Sequence, residues 1–163
     1  MQPVIPLNYK RTFVVAASPS RAFEEFVNGK GGWWPHDHRR GADGVLGVGF
    51  EPRVGGEWYE RVQGGGRVHR GTVLAFDAPN RLLASWPLIF SPDADRQAIG
   101  ESQLEVRFMP HVGGSTLVDL EHRDMHRTTN VELVRRAFFS PYGWDLVVSA
   151  YTAYLASEPW PVR

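Results

Sequence analysis

The chain has 163 residues, 42% of them hydrophobic, with 18 basic and 18 acidic side chains and a formal net charge of zero. That balance leaves no electrostatic footprint for nucleic acid or for an anionic membrane surface. There is no cysteine, which excludes disulfides, thiolate nucleophiles and Cys-ligated metals, and no apolar run approaches the roughly 20 residues of a membrane span. One domain is expected over residues 1–163, with its core at about 10–157, burying roughly 70% of the unfolded surface. The first ten residues lack a signal-peptide apolar run, so the expected location is cytoplasmic.

The first element is a strand. Tyr9, Arg11, Phe13 and Val15 alternate with Thr12, Val14 and Ala16, a period of two. Ser18-Pro19 reads as N-cap and first helical residue, and Ala22, Phe23, Phe26 and Val27 form an apolar stripe behind them. Gly29 and Gly31-Gly32 end that helix, and Trp33-Trp34-Pro35 is expected on a second short helical turn or its exit. From about residue 44 to 123 the pattern is antiparallel strands. Gly55-Gly56, Gly64-Gly65-Gly66, Asp77-Ala78-Pro79-Asn80 and Gly113-Gly114 provide the breaks. Gly55-Gly56 forces a tight reversal before the aromatic strand Trp58-Tyr59.

Leu104, Val106 and Phe108 alternate with polar neighbours, and Thr116, Val118 and Leu120 alternate with Leu117, Asp119 and Glu121. A half-buried antiparallel sheet gives this pattern. Residues 90–102 form the longest polar connection, a candidate mobile flap over a cavity mouth. Thr129-Asn130-Val131-Glu132 reads as a capping box. Ser140-Pro141 then kinks or restarts the helix, after which Trp144, Val147, Val148, Tyr151 and Leu155 share one stripe.

Few residues offer chemistry. His36 and His38 flank Asp37, but a zinc site needs three or four ligands and no HExxH helix supplies them, so no metal is expected. Asp93 and Asp95 read as a solvated loop. Gly44, Gly47 and Gly49 lack the dinucleotide spacing, and neither a GxSxG elbow nor a P-loop occurs. Strand parity aims His122 at the concave face with Leu120, Glu60 with Trp58, and Arg70 with Thr72. These three are either a polar cluster that orients a ligand or exchanges a proton, or groups paired at the sheet's end or turned outward by a bulge. A one-residue register slip reverses each assignment. Trp33, Trp34, Trp58, Trp86 and Trp144 either line a pocket for a flat apolar ligand or fill a core.

Several motifs recur in a fixed order: Ala16-x-x-Pro19, Trp33-Trp34-Pro35, Glu51-Pro52-Arg53-Val54-Gly55-Gly56-Glu57-Trp58, Gly71 before Val73-Leu74-Ala75-Phe76, Pro79-x-Arg81-Leu82, Leu120-Glu121-His122 and Gly143-Trp144. In order and spacing they resemble the heat-shock-protein-90 ATPase activator-like branch of the START-like (SRPBCC) superfamily. The resemblance implies an α+β helix-grip fold, with a curved antiparallel sheet of six or seven strands around a long C-terminal helix. It also implies a cavity between them. Trp58, Trp86, Phe108, Trp144 and Tyr151 are its expected lining, with Glu60, Arg70 and His122 as its polar groups. A pocket of roughly 300 Å³ or more is expected there.

Binding of a small hydrophobic molecule is the expected role, with no cofactor. The alternatives are an enzyme of cyclase or dehydratase type acting on such a molecule, or a chaperone-interacting protein. The sequence leaves a homodimer open.

Overall fold

The computed structural model describes residues 4–28, 31–35, 45–93 and 96–157. Strand β1 (Tyr9–Val15) leads to helix α1 (Pro19–Val27). The strands β2 (Val45–Phe50), β3 (Glu57–Val62), β4 (Arg67–Asp77), β5 (Arg81–Ser85), β6 (Phe90–Asp93), β7 (Arg96–Ala98), β8 (Gln103–Pro110) and β9 (Thr116–Arg123) follow. Helices α2 (Val131–Phe139) and α3 (Trp144–Ser157) end the described chain. Seven strands make one antiparallel sheet in the order β1-β9-β8-β5-β4-β3-β2, and β6 and β7 form a separate two-stranded ribbon.

Alternation builds the sheet. Along β9 every second side chain is buried, from Thr116 to His122, and in β8 Leu104, Val106 and Phe108 share the same inner side. Register shifts interrupt the β2–β3, β3–β4 and β4–β5 pairings. Each extra residue bends its strand and increases the local twist, so the sheet curls around the helices. The Gly55-Gly56 reversal joins β2 to β3 as expected. Gly55 sits at φ 85°, where a side chain is strained, and its N–H and the Gly56 carbonyl both bond to Val73.

Helix α1 starts as its sequence predicts. The Ser18 hydroxyl accepts from the Arg21 N–H, Pro19 occupies the first turn, and Ala22, Phe23, Phe26 and Val27 are buried. Ser140 is extended and separates α2 from α3, so the C-terminal helix restarts after Ser140-Pro141. All five stripe residues of α3 are buried.

Three expectations need correction. The cap of α2 is Asn130, whose side chain accepts from the Leu133 N–H. Thr129 instead accepts from the Ile99 N–H, because the preceding loop is pulled toward the β7 end. The described part of residues 90–102 is more than a bare connection: it contains the β6–β7 ribbon, whose base is stitched to the loop at 127–129 by Glu101 to Arg127 and Thr129 to Ile99 backbone bonds. Residues 31–35 form bends and no helical turn. His36, Asp37 and His38, like Gly44 and Asp95, lie outside the described residues.

Candidate functional site: an aromatic interior closed around a histidine

Side chains from both halves of the sheet and from all three helices meet in the concave interior, and most are aromatic. Trp58 and Trp86 stack with centroids 3.8 Å apart and planes 16° from parallel. Contacts continue from Trp86 to Trp144 at 5.7 Å, Trp144 to Trp34 at 6.2 Å and Trp34 to Trp33 at 5.2 Å. Trp33 meets Phe26 at 5.9 Å, Phe26 meets Phe50 at 6.1 Å, and Phe50 returns to Trp58 at 6.1 Å. The seven rings therefore form a closed circuit. Tyr151 of α3 packs on Trp33 at 4.8 Å and edge-on to Phe26 at 5.4 Å.

The circuit depends on small residues at points of close approach. A Cβ built on Gly71 falls 2.1 Å from Trp58 Nε1 and 2.6 Å from the Ser85 carbonyl oxygen. Only glycine lets the Trp58 indole lie across β4 and donate to that carbonyl at 2.6 Å. The Trp33 indole N–H similarly finds the Glu25 carbonyl at 2.9 Å, and the Tyr151 hydroxyl donates to the Ala22 carbonyl. Burial pushes the Tyr151 phenol far above its usual range, so it stays a neutral donor there.

His122 is fully buried, with the rings of Trp86, Trp144 and Phe138 packed around its imidazole. Its Nδ1 lies 2.8 Å from Trp144 Nε1, and its Nε2 lies 2.6 Å from Ser102 Oγ. An indole N–H only donates, so Nδ1 must present its lone pair and the ring proton sits on Nε2. That proton is donated to Ser102 Oγ, whose own hydroxyl donates to the Trp86 carbonyl at 2.7 Å. The chain runs in one direction, from Trp144 through His122 and Ser102 to Trp86, and each of these polar atoms is satisfied. Such a chain costs little to bury because no member is charged. As a proton-transfer pair it is already committed, since neither imidazole nitrogen points at open space.

The sequence-derived site is thus gathered in part. Trp58, Trp86, Phe108, His122, Trp144 and Tyr151 are all buried in one interior. Glu60 and Arg70 are not with them. They pair at the sheet's rim, Arg70 Nε donating to Glu60 at 2.8 Å, with the Arg70 side chain about half exposed. On β4 it is Gly71 and Val73 that are buried, Gly71 opposite Trp58 and Thr72 opposite exposed Glu57, and the register shift between Trp58 and Tyr59 leaves Arg70 as an extra residue. Ser102 was missed, although it continues the Leu104, Val106, Phe108 series by one step toward the N-terminus. Phe26 and Phe50 also complete the circuit, and single-element periodicity carries no sign of that.

The interior is tightly filled. The niche beside Gly32, Trp33, Trp34, Gly47 and Val48 is too narrow for a water molecule. A roomier depression of about 240 Å³ lies on the outer face of the sheet, lined by Lys10, Glu105, Arg107, Asp119 and Glu121. Neither depression is the expected pocket between sheet and α3. No group of three His, Asp or Glu side chains among them is placed to hold a metal ion. No described helix is long and apolar enough to cross a membrane.

A curled antiparallel sheet closed by a C-terminal helix over an aromatic interior defines the helix-grip class, a ligand-binding fold. Residues 44–155 match the family described as Activator of Hsp90 ATPase homolog 1-like protein, and the chain belongs to that family. It is 30% identical to the anthrahydroquino-gamma-pyrone synthase Txn09, solved in complex with SUM, over 94% of this chain and 99% of that one, with a TM-score of 0.59. Protein MLL2253 from Mesorhizobium loti is 16% identical, with 94% of this chain and 100% of that chain covered and a TM-score of 0.64. CalC from Micromonospora echinospora, a self-sacrificing resistance protein, is 23% identical over 91% of this chain and 93% of that chain, with a TM-score of 0.58. These last two show the fold alone. No curated protein matches the sequence.

Proposed function

We propose that this protein binds a planar, uncharged aromatic molecule between the sheet and α3, against the faces of Trp58, Trp86 and Trp144. The observation that carries the reading is the closed circuit of seven aromatic rings. Indole faces stack on flat π systems and tolerate varied substituents, and the polar chain they surround is neutral, so an ionised guest meets no counter-charge. Because the circuit is closed, a guest must part it. Trp33 and Trp34 sit on non-helical backbone and are the members of the circuit that yield at least cost. The synthase Txn09, 30% identical over nearly the whole chain, supports a polycyclic aromatic guest.

Titration with 1,4-dihydroxyanthraquinone tests this. Saturable quenching of tryptophan emission is expected, and Trp86→Leu should weaken it about tenfold, equal to roughly 1.4 kcal/mol. Non-saturating quenching, or equal quenching of the variant, would overturn the reading.

A second reading, ring closure of the bound molecule, is favoured by the same identity to a pyrone-forming synthase. With His122 committed on both sides, such catalysis works by holding a chain folded so that its reacting ends meet. A change in mass or absorbance of an acyclic polyketide mimic, seen only with folded protein, is its expected sign.

A further inference from the structure

The His122 chain has a direction, and that direction has a consequence for protonation. Nδ1 is the acceptor of the Trp144 indole N–H at 2.8 Å. An imidazolium carries protons on both nitrogens, so a proton added at Nδ1 would point at another N–H. Ser102 is able to keep accepting from Nε2, whereas Trp144 has no acceptor to offer. Protonation therefore breaks one bond in particular, the one that joins β9 to the first residue of α3.

The charged groups on the described parts of β1, β8, β9, α2 and α3 have partners of their own or face solvent. On β9, Glu121 and Arg123 join the ion pairs of the outer face, as does Glu105 on β8. On β1, Tyr9 donates to Asp145 of α3, and Arg11 pairs with the same carboxylate. The charged side chains of α2, namely Glu132, Arg135 and Arg136, are exposed, and its Phe138 ring makes a T-shaped contact with the imidazole.

We propose that His122 is a proton-operated latch on the aromatic interior. Neutral, it holds Trp144 and the start of α3 against the sheet. Protonated, it expels the indole N–H and opens the circuit between Trp86 and Trp34. The latch regulates the binding interior proposed above, and in that respect it rests on that reading. Its structural half, the acid release of Trp144, does not.

The sign follows from proton counting. Unfolded chains protonate His122 freely below about pH 6.5, whereas the latched state excludes the proton at Nδ1, so stability falls as pH drops through that range. One excluded proton raises the opening constant by up to about tenfold per pH unit.

The test follows the Trp144 indole N–H resonance and the near-UV circular dichroism of the intact protein from about pH 8 to about pH 5.5, across the histidine range. The N–H is expected to be protected from exchange at the upper end and exposed at the lower, with near-UV signal falling while far-UV signal holds. In His122→Gln the amide oxygen still accepts an N–H but does not titrate, so this variant should keep its near-UV signal throughout. A Trp144 N–H that stays protected at the acid end overturns the latch. So does a His122→Gln variant that loses its signal in parallel with the wild type. If that variant does not fold, the wild-type N–H resonance alone decides. Binding of 1,4-dihydroxyanthraquinone separates the two proposals. If it binds at neither pH while Trp144 is released by acid, the ligand reading fails and the latch stands. If it binds equally well at both, the latch does not regulate the site.

Discussion

The two faces of one sheet solve opposite problems. On the concave face, strands β8 and β9 bury His122 among aromatic rings, and the polar atoms there form a neutral chain. On the convex face the same two strands hold Glu105 amid Arg81, Arg107 and Arg123. Burial is the largest single influence on that carboxyl and would raise it. Hydrogen bonds from Arg123, Arg81 and Arg107 together outweigh burial and hold it down at about 2. Where solvent is near, a buried carboxylate is kept by surrounding it with counter-charge. Where solvent is excluded, the sheet uses a group that is able to be neutral. One pleat alternation separates the two regimes, because Leu104 and Glu105 are neighbours in sequence and point to opposite sides.

The contrast is broken most severely from the inside. Trp144→Ala should destabilise by about 3–5 kcal/mol in urea unfolding, through lost burial, the cavity left behind and an orphaned His122 nitrogen. An unchanged midpoint would mean that α3 is not anchored through its indole. Gly71→Ala comes next, at about 3 kcal/mol, since a methyl group there collides with Trp58 and with the Ser85 backbone. Its fluorescence should also show loss of the Trp58–Trp86 stack.

On the outer face, Glu105→Gln should cost about 2 kcal/mol at neutral pH by removing charge-assisted bonds. Its effect has a pH window. The carboxyl is depressed, so its contribution is complete above the ordinary glutamate range near 4.3 and is lost as pH falls toward about 2. The difference between wild type and variant should therefore shrink over that interval, and a constant difference would mean the charge is irrelevant. Smallest is the rim pair: Glu60→Gln should shift stability by less than about 1 kcal/mol, because Arg70 is about half exposed and ion pairs open to solvent are weak. A larger loss would place Glu60 in the interior's energetics after all.

Most of the fold was legible because its signals are local. Ser18-Pro19 marks a helix start by hydrogen bonding within four residues, and the Thr116-to-His122 alternation is a property of one strand. The stripe of α3 is likewise complete in its own sequence. Glu60 keeps its parity with Trp58, lying opposite buried Val48, but Arg70 was misread because parity counts residues along one strand, and a bulge is an event between two. The shift at Trp58/Tyr59 shows only once β3 is laid against β4. Asn130 displaced Thr129 as the α2 cap for a similar reason: both side chains suit the role, and Thr129 is drawn off by Ile99 from a ribbon thirty positions away. The candidate site lay between these extremes. Its buried aromatics were readable singly, but their closure into a circuit requires seven residues from four elements, the 33–34 segment and Trp86 just past β5.

The sheet order places the first strand beside the last. Tyr9 pairs in register with His122, and its hydroxyl reaches Asp145, 136 positions along the chain. During synthesis β1 therefore has no partner until almost the whole domain has been made, and the interior it helps to seal remains open to solvent until then. Closing contacts of such sequence separation is entropically slow, and an unpaired strand with exposed aromatic surface is prone to association while it waits. The same feature makes joining the ends informative. In a circular permutant that begins at the Gly64–Gly66 turn, β9, α2, α3 and β1 would become consecutive, and this barrier should fall while the finished architecture stays the same.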